Sequence, residues 1–279
     1  MALSEGQLQL RDLIFGAGTA HVLVEHFNPF VRTVRAVQSA PRPWRDGSWS
    51  GLELAAEAVL PMRIVALATD APGFVALHQA VAAAFAPSST DLDLTFVVGG
   101  VEYLMRGRPR LVEPSPRRAS NICYYQAAFV ALDPLIYSST LHSAALVLPT
   151  TSGGLVAPMM APVTISTTLV AGTKTITNEG TAPAGLTGRM DGPVAEPRLF
   201  VQQGSTVQTL RFALTLTSGQ WLDVDTLART VYLNGTVSRR GQAYGDWPLV
   251  APGTSDVEFQ AAAYDASAAA TVYWRDAWR

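Results

Sequence analysis

Asp223 and Asp225 are the best-placed pair of acids in the chain. Two residues apart on a strand, they stand on one face, where paired carboxylates can share a proton or hold a cation. No third ligand lies near them, so the pair reads as solvation of a strand's outer face. The four histidines, His21, His26, His78 and His142, are scattered. His21 and His26 are five apart in an alternating stretch, on opposite faces. No HExxH pattern or Cys/His cluster is present, which argues against zinc. A GxSxG elbow and a P-loop are also missing. Gly16-Ala17-Gly18 lacks the third glycine and the following helix of a dinucleotide fingerprint. Cys123, the single cysteine, sits in an alternating strand pattern and reads as a small buried hydrophobe rather than a nucleophile. No catalytic residue, metal site or cofactor is expected.

Two groups of side chains suit contact instead. Arg106, Arg108, Arg110, Arg117 and Arg118 form the densest basic patch. It suits phosphates or the acidic face of a neighbouring subunit. With acids elsewhere balancing it and no aromatic run beside it, the subunit interface is preferred. Trp221, Trp247, Trp274 and Trp278 could build a sugar-stacking platform. Trp274 lies in an alternating strand and reads as core, which leaves Trp221 and Trp247 as candidate docking or glycan contacts.

The bulk properties bound the class. The 279 residues suggest about two domains. They are 48% hydrophobic and only 15% charged, and a sparsely charged surface suits either burial against partners or a compact monomer covered by Ser, Thr and Gln. The net charge is -2, split evenly between the halves: 11 basic and 12 acidic residues in 1–150, then 9 and 10 in 151–279. Neither half has an electrostatic nucleic-acid footprint. Lys174 is the sole lysine among the basic residues, a bias that looks like GC-rich codon usage. A lone cysteine cannot make an intrachain disulfide. No stretch reaches the ~18 apolar residues of a membrane span. Met1-Ala2-Leu3-Ser4-Glu5 lacks the features of a signal peptide, so folding in a cytoplasm is expected.

Period-2 patterns dominate the elements that would position these residues. Gln7–Leu10, Leu13-Ile14-Phe15 and His21–His26 read as short strands. Pro41–Gly51, with Trp44 and Trp49, reads as a loop or hairpin tip; Leu52–Leu60 is ambiguous; Arg63–Thr69 is a strand. Gly73–Phe85 is the clearest helix, with Phe74, Leu77, Val81 and Phe85 on one stripe and prolines at both ends. Gly99-Gly100 joins Asp91–Val98 to Val101–Arg106 as a tight hairpin, and Ile122–Leu132 reads as a central strand. Leu141–Pro162 is poor in charge and carries Pro149, Gly153, Gly154, Pro158 and Pro162, as a seam would. From Val163 on there are only strands and turns, among them the Asn234-Gly235 hairpin. A β-sandwich is expected there, with a small closed barrel as the runner-up. The expected architecture is mainly β: an N-terminal domain over 1–148 with one helix, a linker over 149–162 and a sandwich over 163–279.

Two stretches carry a resemblance. The first is Arg106-Gly107-Arg108-Pro109-Arg110, followed after about a dozen residues by the strand ending in Leu132-Asp133-Pro134-Leu135-Ile136-Tyr137-Ser138. The second begins at Ile176-Thr177-Asn178-Glu179-Gly180 and passes through Gly192-Pro193, Trp221–Asp225, Arg229–Gly235, Trp247-Pro248-Leu249 and Pro252-Gly253-Thr254 to Trp274-Arg275-Asp276-Ala277-Trp278. In order and spacing the set resembles the distal tail protein family of long non-contractile-tailed bacteriophages, often labelled minor tail proteins, over residues 63–279. The resemblance implies a hexameric ring built by the N-terminal domain at the virion's tail tip or baseplate. It also implies a galectin-like outer sandwich. The ring would join the tail tube protein to the tail-tip hub and pass DNA through its lumen. Receptor-binding or adaptor proteins would dock outside. No catalytic residue is implied. A carbohydrate-binding sandwich, a tail-tube subunit and an unrelated hydrolase stay open as alternatives.

Overall fold

The computed structural model describes residues 3–24, 27–31, 34–37, 39–152, 168–170 and 172–279. His26, most of the expected 149–162 linker and Val163 lie outside these. The chain is mainly β and divides into two compact units, Met1–Ser139 and Thr140–Trp278. The division precedes residue 148 for a simple reason. His142–Val147 is a strand that hydrogen-bonds along Ala269–Trp274, His142 opposite Trp274.

The first unit is an antiparallel sheet curled almost onto itself. Its path runs Leu13–Phe15, Leu8–Leu10, Leu92–Val98, Val101–Arg117, Ile122–Ala131, Ala58–Leu67, His21–Leu23. The ends approach where the Gly16 amide donates to the His21 carbonyl at 2.8 Å. Alternating side chains fill the inside: Leu8, Leu10, Phe15, Leu60, Ile64, Leu94, Phe96, Met105 and Phe129 are all buried. Cys123 is buried too, as its alternation suggests. The long strand Val101–Arg117 serves three partners. Val101–Gly107 pairs with Leu92–Val98, Tyr103 and Leu104 also pair with Ser138 and Tyr137 of the short strand Ile136–Ser138, and the remainder pairs with Ile122–Ala131. The register slips between Pro109 and Leu111, a bulge at a residue with no N–H to give a ladder. Gly107 just before it touches the neighbouring backbone: a Cβ there would lie 2.1 Å from the Val130 carbonyl oxygen.

The helix is Ala71–Ala84. Asp70 caps it, its Oδ1 accepting from the Gly73 amide at 2.7 Å, and Pro72 occupies the first turn, where no intrahelical N–H is needed. Arg11 closes the other end by donating to the Ala83 and Ala86 carbonyls. Burial along the stripe is graded. Val81 and Phe85 are buried, while Phe74 and Leu77 are half-buried and Val75 is exposed. An arm leaves this unit after residue 31. Val34–Val37 pairs with Leu52–Ala55, and Ala40–Pro41 pairs with Ser48–Trp49.

The second unit consists of two larger antiparallel sheets with smaller ribbons. One runs His142–Val147, Ala269–Trp274, Ala184–Asp191, Trp221–Asp225, Thr230–Leu233, Val237–Ser238; the other runs Thr173–Asn178, Gly253–Gln260, Arg198–Gln203, Thr206–Phe212, Ala243–Gly245. Each buries one face, with Leu186, Met190, Leu222, Val224 and Val272 from the first and Ile176, Leu199, Phe212, Val257 and Phe259 from the second. This is the alternation of a sandwich. Asn234 and Gly235 both take positive φ in the three-residue loop between Thr230–Leu233 and Val237–Ser238, which the Thr236 amide closes by donating to the Leu233 carbonyl. No described helix of either unit is long and apolar enough to cross a membrane.

Candidate interaction surfaces

The five arginines fall along one ribbon of the first unit but do not act alike. Arg106 meets Asp93 at 3.4 Å and lies over the Tyr137 ring. Arg108 bonds Asp91 at 2.7 Å. These two charges are matched across the hairpin. Arg110, Arg117 and Arg118 are exposed and have no ion-pair partner among the described residues. Arg117 stacks on Tyr124 at 5.3 Å. The free positive charge thus concentrates at the far end of the ribbon, where Arg118–Ser120 turns the chain back.

Trp221 and Trp247 lie on separate elements of the second unit, and each is half-buried with a guanidinium on its ring. Arg189 covers Trp221 at 4.4 Å and Arg240 covers Trp247 at 4.5 Å. The Trp221 indole N–H donates to Asp223 at 3.0 Å. Asp225 accepts from the Leu227 and Ala228 amides. The aspartates therefore shape a strand and the turn after it. Above them lies a shallow depression of about 350 Å³ lined by Arg189, Asp223, Asp225, Tyr232 and Tyr273. No cluster of three metal-ligating side chains occurs among the described residues.

The three described histidines, His21, His78 and His142, pack within the fold. His21 is buried between strands, edge-on to Phe15, and burial lowers its pKa while a hydrogen bond to the Leu77 backbone opposes that shift. His78 Nδ1 is 2.9 Å from the Tyr125 hydroxyl, and burial pushes the Tyr125 phenol well up. His142 stacks on Trp274 and meets Asp276 at 3.2 Å. Trp274 is core, its indole N–H donating to the Thr177 carbonyl at 2.8 Å.

A polar knot in the second unit explains the motif-rich ends of the resemblance. Buried Asn178 donates to the Ala182 and Val250 carbonyls, each at 2.9 Å. Its Oδ1 accepts from the Gly180 amide at 3.0 Å and the Ala277 amide at 3.3 Å. Buried Asp276 accepts from the Glu179 amide. Gly180 is pressed so close that a Cβ would sit 1.8 Å from the Ala277 carbonyl oxygen. The motif pattern does not by itself assign this network, because Val250, Asp276 and Ala277 come from 72 to 99 positions further along the chain.

The curled sheet with its capped helix and the double-sheet unit together make a fold that solved phage tail proteins share. In particular, the chain matches the crystal structure of the Dit protein of phage SPP1, described as a paradigm of hub adsorption apparatus in phages infecting Gram-positive bacteria. That match has a TM-score of 0.62 and 13% identity and covers 92% of this chain and 93% of that one. A chain of the phage P2 baseplate, in its activated conformation with Ca, matches with a TM-score of 0.53 and 10% identity over 97% of both chains. No protein-family model matches the sequence, and no curated protein matches it.

Proposed function

We propose that this protein is a structural component of a bacteriophage tail tip, of the distal tail type, and has no enzymatic role. The observation that carries the reading is the near-full-length agreement of fold with the SPP1 Dit protein. In this reading the first unit assembles into a hexameric ring that joins the tail tube protein to the tail-tip hub, with a lumen through which DNA passes. The second unit is a galectin-like domain presented outward to receptor-binding or adaptor proteins, and assembly takes place in the host cytoplasm. The unmatched charge at Arg110, Arg117 and Arg118 and the exposed arm supply surfaces suited to neighbouring subunits. Native mass measurement with negative-stain imaging of the purified chain tests this. A closed six-subunit ring is expected; a strict monomer at high concentration overturns it.

A second reading, a carbohydrate-binding sandwich aiding host adhesion, is favoured by the depression that joins two tyrosines to two aspartates. It requires glycan binding that is lost in Trp221→Ala or Trp247→Ala, and an array without signal removes it.

A further inference from the structure

Two rows of side chains cross the outer face of the second unit's first sheet. In register, Tyr273, Thr187, Asp225 and Thr230 stand side by side on four neighbouring strands. Two residues along, Thr271, Arg189, Asp223 and Tyr232 form the next row. At a strand spacing of about 4.8 Å, the ends of each row lie roughly 14 Å apart. The tyrosines occupy opposite corners of this grid, and short threonines and aspartates fill most of its middle. That difference in length is why the face dips into a depression of about 350 Å³. Small-molecule sites hold about 300–1,000 Å³, so this one suits a short ligand.

The polar groups of the floor are held in place but only partly used. Asp225 gives Oδ1 to the Leu227 and Ala228 amides, and Asp223 gives Oδ2 to the Trp221 indole N–H. Each carboxylate keeps its other oxygen without a partner among the described residues. The hydroxyls of Thr187, Thr230, Tyr232 and Tyr273 make no hydrogen bond among the described residues either. Arg189 is drawn aside, bonding Asp191 at 2.9 Å and lying over Trp221, which leaves the floor open. Two more arginines stand at the edge. Arg229 precedes Thr230, and Arg239 follows Ser238, the partner of Tyr232. Three acids, Asp191, Asp223 and Asp225, therefore face three arginines, Arg189, Arg229 and Arg239, and the local charge sums to zero. Neither a phosphate polymer nor a cationic peptide is favoured by such a balance. Fixed acceptors, free hydroxyls and two rings with an apolar body and a polar tip suit a polyol.

We propose that this depression binds a short neutral saccharide, laid across the strands from Tyr273 to Tyr232. The tyrosine rings stack on the apolar faces of the sugar. Its hydroxyls donate to the free oxygens of Asp223 and Asp225, bonds strengthened by the charge of the acceptor. The inference rests on the carbohydrate reading of the second unit and adds where the sugar sits and that it is uncharged. It moves the stacking surface to the tyrosines, because Arg189 and Arg240 already cover the rings of Trp221 and Trp247.

Saturation-transfer NMR on the full-length protein tests this with maltose, cellobiose, lactose and N,N′-diacetylchitobiose. At least one should bind, and glucose 1-phosphate should bind more weakly. For the disaccharide that binds best, Tyr232→Ala and Asp225→Asn should each weaken binding about tenfold, and Trp247→Ala should leave it unchanged. Tyr232 is 39% exposed, so its truncation spares the core, and an asparagine at 225 retains an oxygen for the turn amides. Binding that survives both variants and disappears in Trp247→Ala overturns this site and leaves the carbohydrate reading standing. Tighter binding of glucose 1-phosphate than of every disaccharide overturns the neutral assignment. Silence from all four disaccharides overturns the site, and a silent glycan array besides removes the carbohydrate reading itself.

Discussion

At the scale of single residues, few side chains are irreplaceable, and those few are buried and polar. Asn178 makes four hydrogen bonds at the centre of the second unit. In Asn178→Ala two carbonyls and two amides lose their partner, so unfolding free energy should fall by roughly 3 kcal/mol, read from denaturant midpoints at constant slope. His21 is a different case. Its folded pKa lies below 6.5, so the unfolded chain takes up protons first as pH falls. The native state should therefore lose stability from about pH 6.5 downward, with no contribution above it. His21→Leu should narrow the gap between midpoints measured at about pH 7.5 and about pH 5; an unchanged gap would assign the acid sensitivity elsewhere. The sequence showed that neither residue belonged to a catalytic pattern. It did not show their burial, because the partners that enclose Asn178, besides the nearby Gly180 and Ala182, come from positions 250 and 277. Local spacing carries no information about such contacts.

At the scale of elements, much was legible. The helix stands where its stripe and prolines placed it, and Gly99-Gly100 makes its turn with both glycines at positive φ. These features are set by neighbours in sequence, and for that reason they can be read. Leu52–Leu60 was ambiguous because it holds two strands with different fates. Leu52–Ala55 belongs to the solvent-exposed arm, whereas Ala58–Leu67 buries alternate residues in the sheet. One-sided burial gives period 2, and exposure on both sides gives none. Asp70→Ala should cost about 1 kcal/mol through loss of the cap. Gly107→Ala should cost considerably more, since a Cβ has no room beside Val130. Thermal melts of the two variants would show whether the bulge or the cap contributes more to the first unit.

At the scale of the whole molecule, sequence could suggest partners only through charge and exposure. It placed five arginines together, but only the structure separates the two matched across the hairpin from the three left free. If Arg110, Arg117 and Arg118 guide association, Arg110→Glu with Arg117→Glu should slow assembly at low salt and differ little from the parent near 1 M salt, where screening acts within about 3 Å. Light scattering over time would read this. The knot at Asn178 bears on how the protein is made. The strand that opens the second unit, His142–Val147, pairs with Ala269–Trp274, and Gly180 is locked against Ala277. Synthesis runs from the N-terminus, and domains acquire structure in that order. The helix and most of the first unit's sheet can form while the rest is still being translated. The second unit's first strand stays unpaired until residue 274 has left the ribosome and the knot until residue 277 has, so nascent chains stalled short of that point should hold a formed helix beside a protease-sensitive tail.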